Sequence, residues 1–237
     1  QSQLDKERIK TLTNRNIKFI GNLKLSSASN AQQVSLDKKL MNFQKGRTLI
    51  LASTHANEEF QFLPIIKRLL LQIDGLKIII APRHPERSKT IQSMYQKSGI
   101  STKLTSDNTY ANDDVLVVDT FGNLPAYFNI SDIVFLGGSF VSKGGHNPIE
   151  PAIYNCVIIT GPHVYNWQNI FEDMLRNNAC FVFDKISIVE KKIKKLFEDN
   201  NEMNKMKENS KKIAQKKFFD SSELIYIIKN ILEVSPC

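Results

Sequence analysis

Residues 137–151 read GGSFVSKGGHNPIEP and gather four glycines, one His, one Asn, one Glu and two prolines. Gly137 and Gly138, then Gly144 and Gly145, let the chain turn with positive φ at little cost. Asn147 suits a helix N-cap and Pro148 the first helical position. A helix that begins there points free N–H groups and the positive end of its dipole at the loop, which makes a seat for a phosphate. Glu150 falls in the first turn. A carboxylate there can accept hydrogen bonds from both hydroxyls of a ribose. It can equally serve only to complement the helix dipole.

A second group of chemically apt residues is PRHPER, which holds Arg83, His84 and Arg87. An Arg offers a bidentate grip on phosphate or carboxylate, or else a structural ion pair with a nearby acid. Lys24, in GNLK, adds a point charge. The four histidines, His55, His84, His146 and His163, lack ligand-type spacing such as His-x-x-x-His, so no metal is expected. Neither a Walker loop nor GxGxxG occurs, which argues against kinases, ATPases and nicotinamide dehydrogenases. GxSxG is absent too, which argues against serine hydrolases. What remains is binding of a nucleotide-linked group, with basic residues to stabilise a departing phosphate and no cofactor.

These residues need elements to hold them. Strands are expected over Ile17–Ile20, Thr48–Ala52, Leu76–Ala81, Val115–Val118, Ile133–Leu136, Cys156–Thr160 and Cys180–Phe183. Most are continuous apolar runs, as strands buried on both faces are. Helices are expected over Asn57–Ile73, Pro85–Lys97, Pro148–Asn155 and Trp167–Asn177, and from Ser187 onward. Pro64 should either delay the first of these to about Phe62 or kink it. Thr105–Asp114 is polar and expected to be a surface loop. The alternation predicts an α/β chain with a doubly wound parallel, Rossmann-like sheet. Ligands of such sheets bind beyond the carboxyl ends of the strands. All four histidines and both glycine pairs lie in segments that follow strands.

The 237 residues carry 41% apolar side chains, enough for a real core, and a net charge of +8. No apolar run reaches the roughly 18–20 residues of a membrane span. The chain opens on a polar QSQLDKERIK rather than on Met, as expected of a piece of something longer without a signal peptide. Cys156 and Cys180 sit in apolar runs and are expected to be buried thiols, and with Cys237 they make no CxxC. A reducing compartment fits this usage. Lys185–Lys217 holds eleven Lys against five acidic residues at helical spacing. This is a solvated face or, more sharply, an attraction to anionic lipid. No aromatic residues interleave with the Lys and no nucleic-acid signature occurs, so nucleic acid is not an expected partner.

GNLK, ASTHANEE, APRHPER, DTFGNL, GGSFVSKGGHNPIEPA and GPHVYNW, in this order and spacing, resemble the 3-deoxy-D-manno-octulosonic acid (Kdo) transferases of Gram-negative bacteria from about Gly21 to Trp167. The resemblance implies one half of a glycosyltransferase-B fold, the half that binds the donor CMP-Kdo. It implies an inverting, metal-independent transfer to lipid A precursor in lipopolysaccharide biosynthesis, at the cytoplasmic face of the inner membrane. Residues 1–16 would lead out of a missing N-terminal domain and 17–237 would form the donor domain. Carried over, Glu150 is the ribose ligand, the Gly138–Ser139 turn and the Asn147–Pro148 helix start form the phosphate cradle, and Gly145 and His146 are further donor-binding residues. Arg83, Thr120, Phe121 and Gly122 lie on the cytidine side, although many relatives carry Met where this chain has Phe121, and Ser53 is a further donor-binding residue. Lys24, Arg83 and His84 stand near the reacting centre. Because the N-terminal domain would supply the acceptor site and a catalytic Glu, this chain alone is expected to bind CMP weakly and to transfer no sugar.

Two other readings stay open on the residues alone. One is another sugar-nucleotide enzyme, a UDP-sugar transferase or an epimerase. The other is a non-catalytic basic module that binds membranes.

Overall fold

Seven short runs of β-branched and other apolar residues pair into one sheet in the computed structural model, which describes residues 3–13, 15, 17, 38–43, 47–107, 109–217 and 226–230. The strands are β1 (Thr48–Thr54), β2 (Lys77–Pro82), β3 (Thr102–Leu104), β4 (Val115–Val117), β5 (Ile133–Leu136), β6 (Val157–Thr160) and β7 (Phe181–Val182). They lie side by side in the order β3-β4-β2-β1-β5-β6-β7, and each pairing is parallel.

The helices are α1 (Gln3–Lys10), α2 (Lys38–Phe43), α3 (Glu58–Gln72), α4 (Ser88–Lys97), α5 (Leu124–Asn129), α6 (Ile149–Ile153), α7 (Gln168–Arg176), α8 (Ile186–Glu198) and α9 (Asn200–Lys217). Successive strand residues point to opposite faces, and both faces are covered. Leu49 and Leu51 of β1 join a core with Phe62 and Ile66 of α3, Ile91 and Tyr95 of α4, and Ile193 of α8. Ile50 and Ala52, the alternate residues, join a second core with Phe43, Phe128, Ile149, Phe171 and Ile213. Burial on both sides is why these strands are apolar runs and not alternating patterns.

Six of the seven expected strands appear, each within two residues at either end. The expected strand Ile17–Ile20 lies, beyond Ile17, outside the described residues, as do Lys24 and Cys237. β3 was not expected, and neither was α5. α3 runs through Pro64 from Glu58 instead of starting late. Proline removes only the hydrogen bond to the carbonyl of Phe60, and Phe60 lies on the exposed side, 64% open. Thr105–Asp114 forms turns and irregular chain, as expected of a surface loop. Cys156 and Cys180 are buried free thiols.

The Lys-rich segment forms α8 and α9 as expected, but many of its charges are paired. Lys192 and Lys195 both reach Glu202, Lys194 pairs with Glu198, and Lys207 meets Asp132 at 2.7 Å. Arg68 of α3 holds Glu190 with two hydrogen bonds. Lys192 and Lys195 therefore tie α8 to α9, and Lys207 ties α9 to Asp132 just before β5. Among the described residues, no helix is long and apolar enough to cross a membrane.

The chain runs from β1 to β2, out to β3 at the sheet edge and back to β4 between them, then crosses to β5 on the other side of β1. β1 and β5 thus form a topological switch point, where loops diverge and leave a crevice at the carboxyl edge.

Candidate functional site

The loops after β1 and β5 face each other across that crevice, and one buried side chain ties them together. Glu58, the first residue of α3, is 0% exposed. Its Oε2 accepts the N–H groups of His55 at 2.9 Å and Gly138 at 2.7 Å, and its Oε1 accepts those of Ser139 and Phe140, each at 3.0 Å. Successive amides pointing into one spot make an anion-binding nest. Here the chain fills the nest with its own carboxylate.

Two members of the expected phosphate cradle thus donate their amides to Glu58. The amides of Gly138 and Ser139 are already engaged. Ser139 is fully buried, and its hydroxyl donates to the Leu136 carbonyl and accepts from the Gly161 N–H. Gly138, Gly144 and Gly145 do adopt positive φ, at 65°, 84° and 71°. Gly137 does not. It is glycine because a Cβ there would lie 2.6 Å from Thr54 Cα. The helix start is shifted as well. α6 begins at Ile149 with Pro148 as the capping position, and Asn147 Oδ1 accepts the Ile149 N–H at 3.0 Å. Asn147 thus still caps the helix, one residue further out than expected. The N–H groups of Gly144 and His146 donate to nothing among the described residues.

The loop after β2 separates its two arginines by role. Arg87 forms a two-pronged pair with Glu59, at 2.7 and 2.9 Å, and Glu59 is 1% exposed. Thr54 Oγ1 donates to the same carboxylate. Arg83 donates its backbone N–H to the Thr54 carbonyl, while its exposed guanidinium has no partner among the described residues. His84 is exposed, with Nδ1 3.5 Å from the Glu86 carboxylate.

Arg83 also lines an open cleft of about 140 Å³, together with Ser53, Pro82, Thr120, Phe121 and Gly122. The four residues expected on the cytidine side are therefore brought together, with Ser53 beside them. Ser53 holds φ at 55°, where β1 loses register with β2. Such strain in a non-glycine residue concentrates at functional sites. Phe121 is 75% exposed at the rim. Asp119 anchors this loop. Burial opposes its charge, but hydrogen bonds from Ser106 and Thr105 prevail and hold its carboxyl below the usual range. α5, which leads off the loop, packs against α6. On α6, Glu150 is half-buried with no hydrogen-bond partner among the described residues, and burial pushes its carboxyl up.

Sequence reasoning missed four residues here. His55 joins the loops, with Nε2 3.2 Å from His146 Nε2, and His84 stands edge-on to it at 6.0 Å. Lys143 is exposed and close enough to disfavour a charge on His55. Glu58 and Glu59 were readable only as two acids after a strand. His163 stands apart from the other histidines, its N–H on the Ser139 carbonyl. Among the described residues, no group of three or more His, Cys, Asp or Glu could hold a metal.

The chain is 33% identical over 240 residues to a 3-deoxy-D-manno-octulosonic acid transferase of Rickettsia prowazekii, covering 98% of this chain and 51% of that protein. The C-terminal CMP-Kdo binding domain of WaaA from Acinetobacter baumannii superposes with a TM-score of 0.68 at 26% identity, over 81% of this chain and 97% of that one.

The chain is a homologue of the Kdo transferases.

It spans about half the length of the Kdo transferases it matches. No protein-family model matches it. Staphylococcus aureus MnaA bound to UDP shares the fold alone, with a TM-score of 0.61 at 13% identity over 91% of this chain and 55% of that one. The seven-stranded parallel sheet with helices on both faces is thus the Rossmann-like half of a glycosyltransferase-B architecture. Of the expected site residues, Ser53, Arg83, Thr120, Phe121 and Gly122 line one cleft, Gly138, Ser139, Gly145, His146 and Asn147 lie in the loop after β5, Glu150 is on α6, and Lys24 lies outside the described residues.

Proposed function

We propose that residues 17–237 bind CMP-Kdo and act as the donor half of an inverting transferase that passes Kdo to lipid A precursor. The observation that carries this reading is the cleft of Ser53, Arg83, Thr120, Phe121 and Gly122 beside the switch point, with an unpaired guanidinium at its mouth. Similarity to a CMP-Kdo binding domain supports it. The cleft takes the cytosine ring, with Phe121 as a stacking surface at its rim. Glu150, a carboxylate with no partner of its own, accepts from the ribose hydroxyls. Phosphate falls to Arg83, Lys143 and the free N–H groups of Gly144 and His146, since the amides of Gly138 to Phe140 serve Glu58. Gly145 and Asn147 shape that loop. His84 serves the sugar end of the donor, a role the resemblance also gives Lys24, which lies outside the described residues.

Transfer itself belongs to the whole enzyme, at the cytoplasmic face of the inner membrane, with the anionic membrane surface as a further partner through the unpaired lysines of α8 and α9. Calorimetric titration tests the donor reading. CMP should bind, UMP and UDP should bind more weakly, and Glu150→Ala should remove the CMP signal. Equal affinity for UDP would favour a UDP-sugar enzyme. Binding to anionic vesicles without any nucleotide binding would favour a membrane module.

A further inference from the structure

The crevice holds a contact that the donor reading leaves unused. The imidazoles of His55 and His146 stack at 12° with centroids 5.4 Å apart, and their Nε2 atoms stand 3.2 Å apart. Two ring nitrogens at that distance hold one hydrogen between them, so one ring donates and the other accepts. The accepting ring must then carry its own hydrogen on Nδ1, while the donating ring keeps a lone pair on Nδ1. One further proton can enter at that lone pair without disturbing the shared hydrogen. A second would set two N–H groups face to face and split the pair. The geometry therefore permits a neutral pair and a monocation.

We propose that the His55–His146 pair takes up one proton when the phosphate of a nucleotide enters beside Arg83 and Lys143, and so becomes a cationic ligand only while the site is occupied. This rests on the donor reading. The proton enters at Nδ1 of His55, the ring nearer the Glu58 carboxylate, and comes from solvent. His55 Nε2–H then donates to His146 Nε2.

The groups around the pair explain why the proton waits for the phosphate. His84 and Arg83 approach from the loop after β2, Lys143 from the loop after β5 and Glu58 from α3. Burial first, then the charges of His55 and Arg83, hold His146 down to about 4. Burial also lowers His55, against the opposing pull of Glu58. The empty pair is thus neutral near pH 7. An incoming phosphate offsets Arg83 and Lys143, and the cost of the proton falls. The bound pair then titrates at a higher pH than the free pair. Its contribution to affinity is fully present below the free value and is lost as pH rises through the bound value, at most about tenfold per pH unit for one proton.

The test is calorimetric titration of the 237-residue chain with CMP, at about pH 7.5 and above, in buffers of different ionisation enthalpy. A phosphate monoester, with a second pKa of about 6, is dianionic there and could only release protons on entering a cationic site, so uptake reports the protein. The expected result is uptake of up to about one proton per CMP, with affinity falling as pH rises. Both effects should vanish in His55→Asn and in His146→Asn, two loops apart, so that one misfolded variant does not end the test. CMP binding by the unaltered chain without proton uptake overturns the proposal, as does uptake that persists in the variants. Absence of any CMP binding would instead overturn the donor reading on which it rests. Imidazole nitrogen NMR on the free chain gives a ligand-independent check. Opposite tautomers are expected at His55 and His146, and identical ones overturn the pair.

Discussion

Glu58 and Gly138 are 80 residues apart in the chain, yet the carboxylate of one accepts the N–H of the other at 2.7 Å. The same carboxylate takes the amides of Ser139, Phe140 and His55. One buried anion therefore sets the relative position of the β1 and β5 loops, and with it the distance from His55 to His146. It also occupies the amides of Gly138, Ser139 and Phe140, so they are not free to take another anion.

Glu58→Ala is expected to destabilise the fold by about 3 kcal/mol or more, since each orphaned buried donor costs about 1–3 kcal/mol. Glu58→Gln keeps one acceptor oxygen and should fall between. Urea unfolding measures both. A loss below about 1 kcal/mol for the alanine variant would mean that water or another group can replace the clasp.

Arg83 and Arg87 lie four residues apart and should respond in opposite ways. Arg87→Ala leaves Glu59 buried and charged without its partner, which typically costs about 3–5 kcal/mol. Arg83→Ala removes a guanidinium that holds nothing, so stability should stay within about 0.5 kcal/mol. CMP affinity should nevertheless fall roughly ten- to a hundredfold, the worth of a charge-assisted hydrogen bond. Unfolding curves and CMP titration on both variants separate the roles. An Arg83→Ala chain with undiminished CMP affinity would remove Arg83 from the site.

The difference between these arginines could not be read from the sequence, because PRHPER presents both alike. The strands could be read, because burial on both faces demands apolar runs such as LILA and IVFL. β3, which reads TKL, could not: three residues with a lysine in the middle, at the sheet edge, leave no pattern to detect. The glycine loop announced a site, but its partner Glu58 lies on a different element, and so does the His55 that meets His146. Pairings between distant segments depend on how the sheet brings its strand ends together. Local composition does not encode them.

Gly137 offers a test that separates close approach from backbone freedom. Its φ is not in the left-handed region, so alanine suffers no dihedral penalty. The added Cβ would nevertheless meet Thr54 Cα at 2.6 Å and the Ser53 carbonyl oxygen at 2.7 Å. Gly137→Ala should cost about 1–3 kcal/mol by overpacking and should disturb the Ser53 turn at the cleft. Thermal unfolding with a CMP titration reads both effects. Unchanged values would show that β1 and β5 can separate freely at their carboxyl ends.

Glu150 should carry the signature of a group kept for binding at the expense of stability. Burial lifts its carboxyl above the ordinary 4.5, and no hydrogen bond within the described residues compensates. The unfolded chain ionises this group at its ordinary value. Ionising it in the fold therefore costs stability, a cost that appears as pH rises through the unfolded value and is complete above the folded one. Glu150→Gln has no charge to desolvate, so it should equal the unaltered chain near pH 4 and be the more stable of the two at pH 7. The same change weakens an acceptor for two hydroxyls, so CMP affinity should fall while 2′,3′-dideoxy-CMP binds both chains alike. Denaturant unfolding at the two pH values and titration with the two nucleotides are the measurements. A glutamine variant that is less stable at pH 7 and binds CMP as before would make Glu150 a helix-capping residue and nothing more.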